Sequence, residues 1–299
     1  MAVTNTKICL GENRTTFYAC VIEDALPKVF KSTDSGINWS YLCQITDAYN
    51  WGTLDAIVYN PTANALNIAF KSDTTVRVYN VDLSDNSVTK KYETSVAAVE
   101  SKIELAIVKL ALSTVTLMTF VAYYNSQQTQ CVMFYRTEDN WNNVTFVYYN
   151  LGIWYSMATG FVSRIVRTLN NSLITGFTVK TDTGYRIGVL RSTNFGVNWT
   201  PTIFQTSTSY SPINIAQLEN ESIIACCGNS RVYKSTNDGV DWTYDNVTLP
   251  ATSVRLYAFR NTLVMIGNDN SVYKSEDEGL SWFSIGSIPN YSDSCPIPM

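Results

Sequence analysis

An eight-residue frame, Ser-x-Asp/Asn-x-Gly-x-x-Trp, occurs four times in this chain, at residues 32–39, 192–199, 235–242 and 275–282. Each copy follows a Lys or Arg and a run rich in β-branched and aromatic residues. Residue types at these offsets describe a turn. Ser and Asp or Asn at the first and third positions bond nearby backbone N–H groups. Glycine supplies a positive φ that other side chains resist. The Trp opens the next strand and buries a large ring beside the corner. Flanking runs such as Arg231-Val232-Tyr233-Lys234 and Ser271-Val272-Tyr273-Lys274 alternate apolar with polar, the period of a half-buried strand. A repeat on this scale predicts an array of small sheets before any single residue is interpreted.

Spacing sets the number of sheets. Gly196, Gly239 and Gly279 are 43 and 40 residues apart, whereas Gly36 to Gly196 spans 160. That gap fits three intervals of about 53, close to the ~40–50 residues of propeller repeats. Two degenerate corners are therefore expected inside it: Thr137-Glu138-Asp139-Asn140-Trp141, with Trp141 in the place of Gly, and Ser84-Asp85-Asn86-Ser87, which lacks both Gly and Trp. The reading is an all-β, six-bladed β-propeller with four antiparallel strands per blade, forming a single domain over 1–299. Blades are expected near 5–45, 54–94, 103–149, 163–204, 213–245 and 253–285, with a tail at 289–299. Ring closure is left open between residues 1–6, the Pro-containing tail, and a Cys9–Cys295 bond.

The octets closely resemble the Asp-box, or BNR, repeat of sialidase-like β-propellers. In them Ser32, Asp34, Gly36 and Trp39 form the first corner, and Ser192, Asn194, Gly196 and Trp199 the second. Ser235, Asn237, Gly239 and Trp242 form the third, and Ser275, Asp277, Gly279 and Trp282 the fourth. In that family the box is a structural staple on the face opposite the ligand pocket, so these residues are expected to hold the fold.

The resemblance also implies a catalytic set that can be sought. Sialidases need three arginines gripping a carboxylate, a Tyr–Glu nucleophile pair and an Asp acid/base, and the first arginine lies in an Arg-Ile-Pro motif. No Arg-Ile-Pro occurs here; Arg14-Thr15-Thr16 stands nearest the first blade, and Arg164-Ile165-Val166 is a mid-chain echo. Arg164, Arg167 and Arg255 could reach a central channel from inner strands. Histidine is absent from the sequence, which removes Ser-His and Cys-His nucleophile systems and every His-based metal site. Asp55 and Glu104 begin inner strands, where paired carboxylates could serve a glycoside hydrolase. The chain thus reads as leaning away from an enzyme.

Composition bounds the partners. Charged residues make up 15% of the chain, below the ~25% of ordinary soluble domains, with neutral polar groups and Tyr in their place. The net charge of −4 and the lack of a Lys/Arg run predict no nucleic-acid partner. Seven cysteines in no metal-type spacing predict no metal and no cofactor. Residues 105–124 are apolar but contain Lys109 and divide at Leu112-Ser113-Thr114, so they read as two strands and not a membrane span. Residues 1–7 carry neither a basic nor an apolar leader region. An outward location would then need another route, such as release inside an assembled particle.

The connections between blades are uneven and aromatic. Tyr49 and Trp51, Trp154 and Tyr155, and Tyr210 are the candidate ligand-binding residues. Such rings beside amides suit sugar faces, and they suit protein interfaces equally; Trp51 and Trp154 could instead fill gaps between blades. The leading expectation is a non-catalytic binding or scaffold propeller of an extracellular or virion surface, a component of a larger assembly. It would take a glycan or a protein on the face opposite the octets. The alternatives are a divergent glycoside hydrolase and an intracellular assembly factor.

Overall fold

The computed structural model describes residues 3–24, 26–46, 52–99, 101–110, 113–124, 129–150, 160–181, 183–228 and 231–288. Among them there is no helix, and the strands form six antiparallel sheets. The first holds β1 (Val3–Leu10), β2 (Phe17–Glu23), β3 (Leu26–Ser32) and β4 (Ser40–Gln44), and the second β5 (Thr53–Asn60), β6 (Ala65–Lys71), β7 (Thr75–Asp82) and β8 (Val88–Ser95). The third holds β9 (Ala98–Val99), β10 (Glu104–Lys109), β11 (Thr114–Tyr124), β12 (Thr129–Thr137) and β13 (Thr145–Asn150). The fourth holds β14 (Phe161–Val162), β15 (Val166–Arg167), β16 (Leu173–Thr181), β17 (Gly184–Ser192) and β18 (Thr200–Ser207). The fifth holds β19 (Ile213–Gln217), β20 (Ile223–Cys227), β21 (Arg231–Ser235) and β22 (Thr243–Asn246). The sixth holds β23 (Ser253–Phe259), β24 (Thr262–Gly267), β25 (Ser271–Ser275) and β26 (Phe283–Ser287).

Strands pair in chain order within each sheet, and consecutive sheets pack face to face through five apolar cores, from the first–second pair to the fifth–sixth. Alternating side chains supply both faces of each blade, which is why strands such as β6 and β20 are buried almost throughout, whereas the outer strands β22 and β26 are exposed. The result is a six-bladed β-propeller.

Each octet is the corner between the third and fourth strands of its blade. The Ser Oγ accepts the Gly N–H at 2.8–2.9 Å in all four. The Asp or Asn Oδ1 accepts the amide four residues later at 2.8–2.9 Å. Both captures depend on two successive positive-φ residues, such as Asp238 at 59° and Gly239 at 80°. The corner at Thr137 has the same bonds: Trp141 N–H donates to Thr137 Oγ1 at 3.0 Å and Asn143 N–H to Asp139 Oδ1 at 2.8 Å. Trp141 takes the glycine place with φ 71°, and its ring fills the core between the second and third blades. The corner after β7 is a different device, in which Asp82 and Asp85 cap the amides of Ser84 and Ser87.

These corners also grip the blade before them. A Cβ on Gly196 would stand 2.6 Å from Leu117 in the third blade, and one on Gly239 2.5 Å from Ile174 in the fourth. The residue before each glycine reaches the same way. Asp238 accepts from Thr168 at 2.6 Å, Ser172 at 2.5 Å and Arg191 at 2.6 Å in the fourth blade. Glu278 accepts from Asn220, Ser222 and Lys234 in the fifth. Asn140 accepts from Asn67 and Asn80 in the second. The Trp completes the contact: Trp199 stacks on Phe134 at 4.3 Å, and Trp242 meets Phe204 at 5.0 Å.

Candidate functional site

The innermost strands surround a cavity of about 260 Å³, lined from five of the six blades. Charge reaches it through irregular inner strands. In the third blade β9 and β10 both pair with β11, and in the fourth β14 and β15 both pair with β16. The breaks hold matching tripeptides, Ser101-Lys102-Ile103 and Ser163-Arg164-Ile165. In each, the Ser Oγ accepts an amide of the neighbouring strand at 2.7 Å, from Val121 or from Gly176. The Ile is buried in an inter-blade core. The central cation is thereby turned out of the strand alternation, the usual consequence of a bulge. Register shifts at Asp55 and just before Arg255 do the same for those residues.

Inside the cavity the carboxylates are committed. Asp55 accepts the Ile103 N–H at 3.0 Å and lies 3.6 Å from Lys71 Nζ, with its side chain only 2% exposed. Burial pushes its pKa up, against the pull of Lys71 and the Ile103 amide. Lys71 also donates to the Ser101 carbonyl at 2.6 Å. Glu104 pairs with Arg255 at 3.2 Å, and the Arg164 guanidinium lies over the Tyr257 ring at 5.1 Å. Lys102 is exposed and lies beside the cavity, outside its lining, near enough to Lys7 and Arg255 to feel their charge. Desolvation there, and then Lys7 and Arg255, draw its pKa down to about 8. Three cations (Lys7, Arg164 and Arg255) thus line the cavity with two carboxylates, one of which is paired with Lys71, in a chain whose net charge is −4. The surplus is suited to an anion.

The sequence-predicted residues divide accordingly. Asp55 and Glu104 both line the cavity, as do Arg164 and Arg255. Arg167 turns away, donating to the Lys109 carbonyl at 2.8 Å and to Asn171. Tyr210 stands between the fourth and fifth blades, 37% exposed, edge-on to Tyr185 at 5.8 Å. Lys180 Nζ lies 4.5 Å from the Tyr185 ring, and burial followed by Tyr185 pushes the Tyr210 pKa up to about 12. Tyr49, Trp51, Trp154, Tyr155 and Cys295 lie outside the described residues. Lys7 and Lys102 were not singled out in the sequence. The signal that finds Lys102 is its tripeptide, the counterpart of the one around Arg164. No group of acidic or Cys ligands suited to a metal occurs among the described residues.

No family model and no curated protein matches the sequence. Solved structures do match in fold. YCF48 from Cyanidioschyzon merolae aligns with TM-score 0.58 and 13% identity over 93% of this chain and 83% of that one. YCF48 bound to a D1 peptide aligns with TM-score 0.56, 12% identity and coverage of 94% and 80%. The α-L-arabinofuranosidase Arb93A from Fusarium graminearum, in complex with an iminosugar inhibitor, gives 0.51, 12%, 94% and 91%. The WD40 domain of SCAP from fission yeast gives 0.51, 14%, 96% and 70%.

Proposed function

We propose that this chain is a non-catalytic propeller that binds or scaffolds at an extracellular or virion surface. Its central cavity holds an anionic group carried by a glycan or a protein partner. The observation that carries this reading is the state of the two carboxylates. Asp55 is enclosed and bonded to a backbone amide, and Glu104 is tied to Arg255. A general acid or nucleophile must reach the substrate, whereas the cationic surplus around them acts by attraction alone. Cations in a concave, weakly hydrated wall attract a carboxylate or sulfate more strongly than on open surface. The octets' resemblance to the Asp-box repeat supports placing the ligand on the face away from the corners. Aromatic connections such as Tyr210 would flank the ligand there. The fold neighbours include a sugar-processing enzyme and a peptide-bound protein, and both ligand classes suit such a scaffold.

Arrays of neutral and acidic glycans, and of neutral and acidic peptides, test the proposal. Binding confined to acidic probes and lost in Arg164→Ala is expected, and the array that responds identifies the carrier. Equal retention on neutral probes, unaffected by Arg164→Ala, would overturn it. A second reading, a divergent glycoside hydrolase, draws on the raised pKa of Asp55, the state in which a carboxyl donates a proton at neutral pH. Release of sugar that Asp55→Asn abolishes would favour that reading.

A further inference from the structure

The face that carries the corners has a hollow of its own. Its position follows from the corner bonds. Asp238 grips the turn at 168–172 and Glu278 the turn at 218–222, so the turns that follow the innermost strands open on the same face as the octets. Between these turns of the fourth, fifth and sixth blades lies a cavity of about 420 Å³. Leu218 is its buried floor, and Leu169, 60% exposed, stands at its rim. Arg164, Arg167 and Arg260 line it beside a single carboxylate, Glu219. Among the described residues Arg164 alone also lines the central cavity.

The fold leaves these guanidiniums without counter-ions. Arg77, Arg136, Arg191 and Arg255 each pair with a carboxylate, whereas among the described residues these three meet none. Arg164 has the Tyr257 ring at 5.1 Å and Arg260 the Phe259 ring at 5.9 Å. Arg167 donates to the Lys109 carbonyl and to Asn171 through three of its five N–H groups, which leaves two. Arg260 also sits where its residue type is disfavoured. It is the first residue of the two-residue loop between β23 and β24, at φ 54°, a place that glycine or asparagine takes at lower cost.

We propose that this hollow is a second anion site, open on the corner face, for a phosphate or carboxylate carried on a small apolar body. Guanidinium forks bind the paired oxygens of such groups bidentately, and a concave wall strengthens the attraction. Glu219 opposes it, one charge against three. Leu218, Leu169 and the half-exposed Phe259 beside Arg260 offer apolar surface to the body. The volume is that of a small organic ligand, larger than a bare phosphate fills. Backbone strain at an exposed arginine serves a site better than it serves the fold.

Calorimetric titration of the full chain with phenyl phosphate tests this, with inorganic phosphate and phenol as the two halves of the probe. Phenyl phosphate is expected to bind more tightly than either. Arg260→Asn is expected to weaken it about three- to ten-fold while the urea midpoint holds or rises, since asparagine suits the left-handed place. Leu169→Asp, an exposed change, is expected to weaken it likewise, and Leu169→Lys to tighten it. Affinity indifferent to Arg260→Asn and to both Leu169 variants would overturn the proposal, as would inorganic phosphate binding as tightly as phenyl phosphate. Affinity that falls in Arg255→Ala but holds in Arg260→Asn would place the probe in the central cavity and also overturn it. Arg260 and Leu169 lie outside that cavity, so the expected results stand even where acidic glycans and peptides fail to bind at the centre.

Discussion

Glu104 and Arg255 belong to the third and sixth blades, which face one another across the ring, and their side chains meet at 3.2 Å. No other ion pair described here joins blades so far apart in the circular order. Each side chain is 14% exposed, so solvent screens the contact only partly. Removing one partner leaves the other charge enclosed, and Arg255→Ala is expected to destabilise by about 1–3 kcal/mol. Urea melts of Arg255→Ala, Glu104→Gln and the double variant give the coupling, expected within ~0.5–3 kcal/mol. Strictly additive single effects would mean that the two groups do not interact in solution.

The corners predict a graded series. Alanine at a left-handed position costs roughly 1–2 kcal/mol wherever it is placed. Gly36→Ala meets nothing nearer than 3.7 Å, whereas Gly239→Ala sets a methyl 2.5 Å from Ile174 Cδ1. Overpacking adds about 1–3 kcal/mol at Gly239. Gly239→Ala is therefore expected to lower the urea midpoint more than Gly36→Ala, and Gly196→Ala, 2.6 Å from Leu117, should behave like Gly239→Ala.

Trp141 sets two effects against each other. Glycine there would relieve a φ of 71°, worth about 1–2 kcal/mol. It would also empty a core site that is 2% exposed, which costs about 3–5 kcal/mol for a large aromatic. The core loss is larger, so Trp141→Gly is expected to destabilise despite restoring the residue type of the other corners. A stabilised Trp141→Gly would mean that backbone strain dominates.

Much of this was legible in the sequence, and the failures have physical causes. The octets fix local hydrogen bonds through Ser, Asp and Gly at set offsets, so the corners and the sheet count could be read directly. The corner at Thr137 could be placed by spacing and by its Thr and Asp, but that Trp141 takes the left-handed place and fills the core at once could not be read from the frame. The channel was harder. Strand alternation indicates which faces are buried, but Arg164 enters the cavity through a break in that alternation, so the period-two pattern could name it as a candidate without telling it from Arg167, which turns away. Asp55 could be placed at an inner strand, yet its commitment to the Ile103 amide is a contact between blades, 48 residues apart in sequence.

Lys102, beside the channel and close enough to Lys7 and Arg255 to feel their charge, gives the chain a pH signature. Its folded pKa of about 8 lies below the ordinary lysine value, so the folded state releases this proton first. Where the unfolded chain holds more protons, stability rises with pH, here between about 8 and the ordinary ~10.4. Anion binding runs the other way, since a bound anion favours protonated Lys102. Affinity for an acidic probe is expected to hold below about 8 and to fall as the pH passes through that value. Lys7 and Arg255 reinforce the anion, and Asp55 and Glu104 oppose it. In Lys102→Met the step should vanish while weaker, flat binding persists.

Asp55 separates support from chemistry. Asp55→Ala strips the Ile103 N–H of its acceptor, at an expected cost of about 1–3 kcal/mol. Asp55→Asn keeps an acceptor and removes a buried charge, so its urea midpoint should lie well above that of Asp55→Ala.

The account stands on a channel that holds an anion and does not transform it. One sample of the full chain incubated with an acidic oligosaccharide, read for bound ligand by calorimetry and for released sugar by chromatography, tests this most directly. Saturable binding that weakens in Arg164→Ala, with the oligosaccharide recovered intact, is the predicted result. Free sugar accumulating in proportion to protein, and stopped by Glu104→Gln, would contradict it.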